Sequence, residues 1–325
     1  MLLQSVWSGL LSVSLLISSI GAAPATKKAA AKKLDLDKLY EPDPPVTHKC
    51  YYTIEYQDPV TKKLKLQEMA IDLYGTVVPK TVKNFEVLSK GVKASLGGKD
   101  NIIVPLTYKR TIFSKIIPDA YMKAGEVLPG LSPFSIYGSN WADENFELKH
   151  DRPGRLSMAN KGQPDSNDSD FLIVLNSETQ QSELDGKHVV FGQITSGLKE
   201  LLDDLQFVET NDQFMPLHNV TLITAAVDDM KLNTEKAHND YLQRLMKFRE
   251  GDLSEGVSIK SYLKSTELYD DLNATPVSIT YNGNLISNQK FFIILGALLA
   301  CAVIFKYRKN LLPKSNKVSS LRRDD

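Results

Sequence analysis

The stretch "LDGKHVVFGQI", residues 184–194, decides how this chain is read. Its second half, "HVVFGQI", is rich in β-branched and apolar residues and reads as a short strand. Directly after it comes "GLKELLDDL", residues 197–205. There Leu198, Leu201, Leu202 and Leu205 follow the i, i+3, i+4, i+7 rule of an amphipathic helix. Further short strand candidates lie on both sides: "YKRTIFSKI" (108–116), "YMKAGEV" (121–127), "RLSMAN" (155–160), "DFLIVLN" (170–176) and "NVTLITAAV" (219–227). Nearer the start, "YYTIEY" (51–56) and "LQEMAIDLYG" (66–75) read as two strands joined by a turn at Asp58-Pro59. "VPKTVKNFEVLSKG" (78–91) has Pro79 at a first helical position, Gly91 just past the end, and Val82, Phe85 and Leu88 on one face. "GVKASLGGKDNIIVP" (91–105) reads as a loop. Many short strands with two helices predict a mainly-β fold over residues 49–230, a closed antiparallel β-barrel capped by helices.

The flanks have a different texture. Residues 24–48 are rich in Lys, Ala and Pro and read as an extended linker. Residues 231–250 predict a C-terminal amphipathic helix with Ala237, Tyr241, Leu245 and Phe248 on one side, taken to pack on the barrel. Residues 251–289 are mixed and polar and read as a stalk. At the N-terminus, "LLSVSLLISSIGAA" followed by "PATKKAAAKK" has the form of a secretory signal peptide over residues 1–23. Residues 291–305, "FFIILGALLACAVIF", carry no polar side chain, so residues 290–307 read as a single transmembrane helix. Lys306, Arg308, Lys309, Lys314 and Lys317 follow it, and only Lys290 stands just before it. The positive-inside rule then makes residues 308–325 a cytosolic basic tail and the barrel lumenal, in a single-pass type I arrangement of the endoplasmic reticulum, Golgi or vacuole. Three glycosylation triplets begin at Asn167, Asn219 and Asn273.

The totals exclude some functions. There are 39 basic and 39 acidic residues among 325, which gives no case for nucleic acid. Two distant cysteines, Cys50 and Cys301, suggest neither a disulfide framework nor a metal cluster.

In the order "VPKTVKNF", "FSKIIP", "SIYGSNWADENFELKH", "RPGRLSMAN", "SDFLI" and "LDGKHVVFGQI", the chain resembles the cyclophilin-type peptidyl-prolyl isomerases, most closely fungal membrane-anchored members of the secretory pathway. The resemblance implies an eight-stranded barrel with two capping helices. It also implies rotation of X-Pro bonds in proline-containing secretory or membrane clients, with no cofactor and no metal. The family's catalytic donor is an arginine. Laid without a gap on the family pattern "FHRIIPGFMCQGG", residues 113–125, "FSKIIPDAYMKAG", put Lys115 at that arginine. Ala120 falls at a pocket phenylalanine with Tyr121 beside it, and Lys123 at a glutamine. Ala159 and Asn160 match the substrate-backbone segment. Asp170 stands for a second glutamine and Leu172 for another pocket phenylalanine. Leu184 and His188 fit the pattern, His188 as a groove-lining residue. Glu183 replaces a tryptophan linked to cyclosporin binding; an acceptor in place of an indole donor predicts weak binding.

Lysine is not an equivalent of arginine here, because it donates from a single flexible point rather than a planar fork. Two readings of Lys115 therefore stand. One is a weakened donor, and the other is a solvated lysine in a groove that only binds. Asp170 is expected to pair with Lys115 or Lys123, and pairing with Lys115 would occupy the donor. The functional expectation is an isomerase of reduced rate assisting folding in the secretory pathway. The alternative is a membrane-tethered, inactive client-binding module.

Overall fold

The computed structural model describes residues 35–95, 103–130, 133–160 and 162–263. The expected leader, membrane span, basic tail, most of the stalk, and Asn273 lie outside the described residues. Among the described residues no helix is long and apolar enough to cross a membrane.

The strands, in chain order, are β1 Leu39–Tyr40, β2 His48–Gln57, β3 Leu64–Leu73, β4 Val92–Ser95, β5 Ile103–Leu106, β6 Lys115–Ile117, β7 Tyr121–Ala124, β8 Arg155–Met158, β9 Phe171–Val174, β10 Val190–Ser196, β11 Thr221–Asp229 and β12 Val257–Ser258. The helices are α1 Pro79–Lys90, α2 Ser177–Leu184, α3 Leu198–Asp203 and α4 Thr234–Arg249. Eight strands form one antiparallel sheet in the order β11-β2-β3-β10-β8-β9-β7-β6.

The sheet curls strongly but does not close into the barrel expected from the sequence. Its edge strands β11 and β6 are not paired with each other. Arg110, held at φ 68, breaks the chain before β6, so only residues 110–113 reach across. They make an isolated bridge from Ile112 to Thr221, with Phe113 N–H donating to the Val220 carbonyl at 2.9 Å and Leu222 N–H to the Thr111 carbonyl at 2.9 Å.

Alternation explains which face each side chain takes. In β2 and β3 the inward residues Tyr52, Ile54, Tyr56, Met69, Ile71 and Leu73 are buried. The core centres on Phe85 of α1, whose ring lies 4.9–5.9 Å from those of Tyr52, Tyr108, Phe171 and Phe191. The start of α1 is capped from afar. Glu144 accepts from Lys80 N–H at 2.9 Å and Thr81 N–H at 2.8 Å, where a carboxylate also opposes the helix dipole. Gly125, just after β7, needs to be glycine: its φ is 108 and a Cβ would lie 2.5 Å from the Ser169 carbonyl.

Several expectations need correction. Residues 91–105 are not simply a loop, because β4 and β5 pair as a hairpin from Val92–Leu106 to Ser95–Ile103. Helix α2 was not foreseen, since "SETQQSEL" has no apolar stripe and buries only Ser177 and Leu184. The linker is packed from residue 39 onward: β1 pairs with β12, and Tyr40, Pro42 and Pro44 are buried. The beginning of the stalk is packed with it, with Ile259 and Tyr262 buried against Tyr40. Helix α4 buries Tyr241 and Leu245, as its spacing predicts.

The arm is held by charge. Arg152 and Arg155, both buried, face Asp43 of the arm and Asp151. Arg155 Nη1 lies 2.9 Å from Asp43 Oδ1 and its Nε 2.8 Å from Asp151 Oδ1. Arg152 Nη2 donates to the Glu41 carbonyl at 2.7 Å, its guanidinium lies 4.8 Å over the Tyr40 ring, and Tyr262 hydroxyl donates to Asp43. Burial works against the Asp151 charge, but the two guanidiniums outweigh it and hold its carboxyl at about 2.

Candidate functional site

The site begins with the register of four strands. Lys115 of β6 stands opposite Lys123 of β7, Lys123 opposite Leu172 of β9, and Leu172 opposite Ser157 of β8. Two residues along, Ile117, Tyr121 and Val174 form the next row. Intervening residues Ile116, Met122, Ile173 and Leu156 point into the main core, so these two rows lie on the other face of the sheet.

On that outer face Ala159, Leu172, Val174 and Leu184 form an apolar cluster of their own, separate from the main core, with Tyr121 packed against it. The one aromatic side chain at this cluster is therefore that of Tyr121. Val174 was not singled out from sequence, because it is indistinguishable within the apolar run 171–175. Ala120 is not part of the cluster. It sits buried in the β6–β7 turn, where its carbonyl accepts from Leu175 N–H at 2.9 Å. That turn, with Asp119 at φ 56, is pinned by buried Gln206, whose Oε1 accepts from Asp119 N–H at 2.8 Å. Gln206 has no sequence signal, since its partner lies 87 residues away.

Two lysines directly opposite one another repel. Asp170 resolves this for one of them: its Oδ2 lies 2.7 Å from Lys123 Nζ. Burial opposes the charge of Lys123, yet Asp170, Asp168 and Glu126 together raise its pKa above the usual lysine value. Burial, reinforced by Asp168, also holds the Asp170 carboxyl above the ordinary carboxylate range despite Lys123. Lys115 is half-buried and, among the described residues, makes no ion pair or hydrogen bond through its ammonium. Of the two expected pairings, then, the structure makes the one that leaves Lys115 unoccupied.

The far wall is built by the end of α2 and the turn after it. Asp185 caps the helix, and the Leu184 carbonyl accepts from Lys187 N–H at 3.1 Å and His188 N–H at 3.0 Å. Buried His150 anchors this turn through Nδ1 at 2.7 Å from Asp185 Oδ1. His188 Nδ1 lies 2.9 Å from the Met158 carbonyl. A carbonyl can only accept, so Nδ1 carries the proton and Nε2 is left as an acceptor in the neutral ring. Burial lowers the His188 pKa, which favours that neutral form. Asn160 Nδ2 donates to the Lys187 carbonyl at 2.6 Å, and Ala159 N–H to the Asp170 carbonyl at 2.9 Å. Glu183 is exposed on α2. Thus Tyr121, Ala159, Leu172 and Leu184 are brought together, Lys123 meets Asp170, and the loops that carry Asn160 and His188 are tied to each other by hydrogen bonds.

One candidate modification site is buried in the fold, which counts against a glycan there. Asn167 is fully buried, and its Nδ2, the atom a glycan would occupy, donates to Asp143 Oδ1 at 2.7 Å and to the Trp141 carbonyl at 3.3 Å. The triplet rule is blind to that burial. Asn219 is exposed. As for metals, His48, Glu86 and Asp229 bring ligand atoms within 4.8 Å of one another, away from the groove. Lys90 already sits 2.8 Å from both Glu86 and Asp229, so an ammonium fills the place a cation would take.

A curled eight-stranded antiparallel sheet with a small apolar cluster on its outer face is the frame, and comparison with known sequences supplies the class. The family model described as "Cyclophilin type peptidyl-prolyl cis-trans isomerase/CLD" matches residues 59–227. The chain is 43% identical over 274 residues to peptidyl-prolyl cis-trans isomerase CPR4 of Saccharomyces cerevisiae, covering 83% of this chain and 86% of that one. It is 33% identical over 317 residues to peptidyl-prolyl cis-trans isomerase CYP8 of the same yeast, covering 96% and 97%. This chain belongs to the cyclophilin-type peptidyl-prolyl cis-trans isomerases.

Proposed function

We propose that the outer-face groove from Lys115, past Tyr121 and Leu172, to His188 binds an X-Pro segment, and that Lys115 donates to the imide nitrogen as the bond twists. Rotation about an X-Pro bond takes tens to hundreds of seconds uncatalysed, because amide resonance must be given up. As resonance is lost the nitrogen becomes pyramidal and gains a lone pair. A donor aimed at it stabilises the twisted state more than the planar one, which is the condition for catalysis. The apolar cluster of Tyr121, Ala159, Leu172, Val174 and Leu184 receives the proline ring, Asn160 lies beside the substrate backbone, and His188 Nε2 accepts from a substrate donor. No covalent bond changes, so the reaction requires neither metal nor cofactor.

The observation that carries this reading is the ion pair of Asp170 with Lys123, which leaves the Lys115 ammonium without an ion pair among the described residues. Lysine lacks the fixed fork of arginine, so the rate is reduced. Exchange NMR on a proline peptide tests it: Lys115→Ala lowers the catalysed rate by about tenfold or more while peptide affinity stays within about twofold. An unchanged rate would make the groove a binding module instead.

The same reading places the domain in the lumen of the secretory pathway, acting on secretory or membrane clients. It is supported by the apolar leader, by the apolar run 291–305 with lysines and arginines after it, and by the exposed Asn219 that begins its triplet. Cyclosporin binds weakly, since Glu183 offers no indole donor.

A further inference from the structure

The loop between α3 and β11 carries a feature that the groove reading does not absorb. Thr210 and Pro216 form an isolated bridge, and Leu217 N–H donates to the Glu209 carbonyl at 2.8 Å, so residues 209–217 double back as a tight hairpin. Asn211 organises the tip. Its carbonyl accepts from Phe214 N–H at 2.9 Å, and its Oδ1 accepts from Gln213 N–H and Met215 N–H, each at 2.9 Å. Held in this way, Phe214 adopts φ 61, a strained left-handed conformation that is rare for a bulky residue. Its side chain is nonetheless not buried: Phe214 is 42% exposed, Met215 47% and Leu217 60%.

The tip has a fixed address. Ile116 N–H donates to the Phe214 carbonyl at 2.9 Å, so the hairpin abuts the free edge of β6, next to Lys115. Ile116 points into the core, whereas Lys115 and Ile117 are half-exposed on the groove face. Covering an edge strand explains the backbone bond. It does not explain the phenylalanine, because Gly or Asn would satisfy φ 61 with less strain and no exposed ring. A rigid, exposed apolar tip continuous with the donor end of a peptide groove is suited to contact with the peptide.

We propose that Phe214 and Met215 form an apolar subsite that extends the groove beyond Lys115 and selects clients carrying a large apolar side chain two or three residues from the proline. The occupant is the extended client chain itself, since the tip adjoins the strand on which that chain is read. The inference rests on the groove reading given above.

Two series of proline peptides test it, with Leu or Ala placed two or three residues before or after the proline. Affinity and exchange rate are measured by NMR for the whole lumenal chain and for Phe214→Asn, a residue that tolerates the left-handed conformation and so preserves the fold. The wild type binds the best Leu peptide roughly three- to tenfold more tightly than its Ala counterpart, the effect of part-burying one large apolar side chain. The preference falls to about onefold in Phe214→Asn, with Ala peptides bound and rotated as before and no loss of thermal stability. A preference absent from the wild type, or unchanged in the variant, overturns the subsite while leaving the groove reading intact. Failure of all peptides to bind overturns both.

Discussion

Two pairs of basic residues belong to one region of the same sheet, on either side of β9, and they are treated in opposite ways. Arg152 and Arg155 beside β8 are buried and matched by Asp43 and Asp151, so two positive charges meet two negative ones. Lys115 and Lys123 on β6 and β7 are half-buried, and among the described residues the one ion pair between them and a carboxylate joins Asp170 to Lys123, with Asp168 and Glu126 acting on that same lysine from further off. The arginine cluster is used up in holding the N-terminal arm and the C-terminal segment to the sheet. The lysine pair keeps one donor free. Complete neutralisation marks the region whose task is to stay together, and the unmatched ammonium is where the proposed function puts contact with another molecule.

The largest effect comes from breaking the matched cluster. Asp43→Ala leaves two buried guanidiniums short of an anion and lowers unfolding stability by about 3–5 kcal/mol in urea. Replacing Asp43 and Arg155 together with apolar residues of similar volume recovers most of that loss. If Asp43→Ala is harmless, the arm is not held by charge and the contrast fails.

Acid sharpens the same contrast. The Asp151 carboxyl is held at about 2 in the folded chain and rises to an ordinary aspartate value near 4 on unfolding. A depressed folded value contributes stability that is complete above the unfolded value and is lost as pH falls through the folded one. About 2 kcal/mol therefore disappears between roughly pH 5 and pH 2, and Asp151→Asn removes that part of the slope. Thermal melts across this range measure it.

A smaller effect is expected in the groove. Asp170→Asn leaves Lys123 facing Lys115 across the strand pair without a counter-charge, and costs about 1–2 kcal/mol at low salt, less at high salt. Adding Lys123→Gln to that variant restores stability. A cost independent of salt would assign Asp170 a packing role instead.

Much of this was legible in the sequence, for identifiable reasons. The gapless match of residues 113–125 to the family pattern set Lys115 and Lys123 on either side of one turn, while the register that puts them in one row with Leu172 came from strand pairing. The arm was misread because Pro42, Asp43 and Pro44 look like linker residues. Their burial depends on Arg155, 112 residues later. Helix α2 was missed because its place is set by the Asn176 cap and the turn at Asp185, with hardly any apolar face. The β4–β5 hairpin was hidden by the glycines between its strands. At Lys115 the sequence offered two candidate pairings for Asp170, and only the side-chain geometry chose between them.

The central claim, a free ammonium at Lys115 acting on the twisted imide, is tested most directly by replacing that lysine with arginine. The rate of catalysed rotation, read by exchange NMR, is compared among wild type, Lys115→Arg and Lys115→Ala at equal peptide saturation. The account predicts the order Arg above Lys above Ala, with the arginine variant about tenfold or more faster than wild type, because the planar fork fixes the donor. Three indistinguishable rates would contradict it.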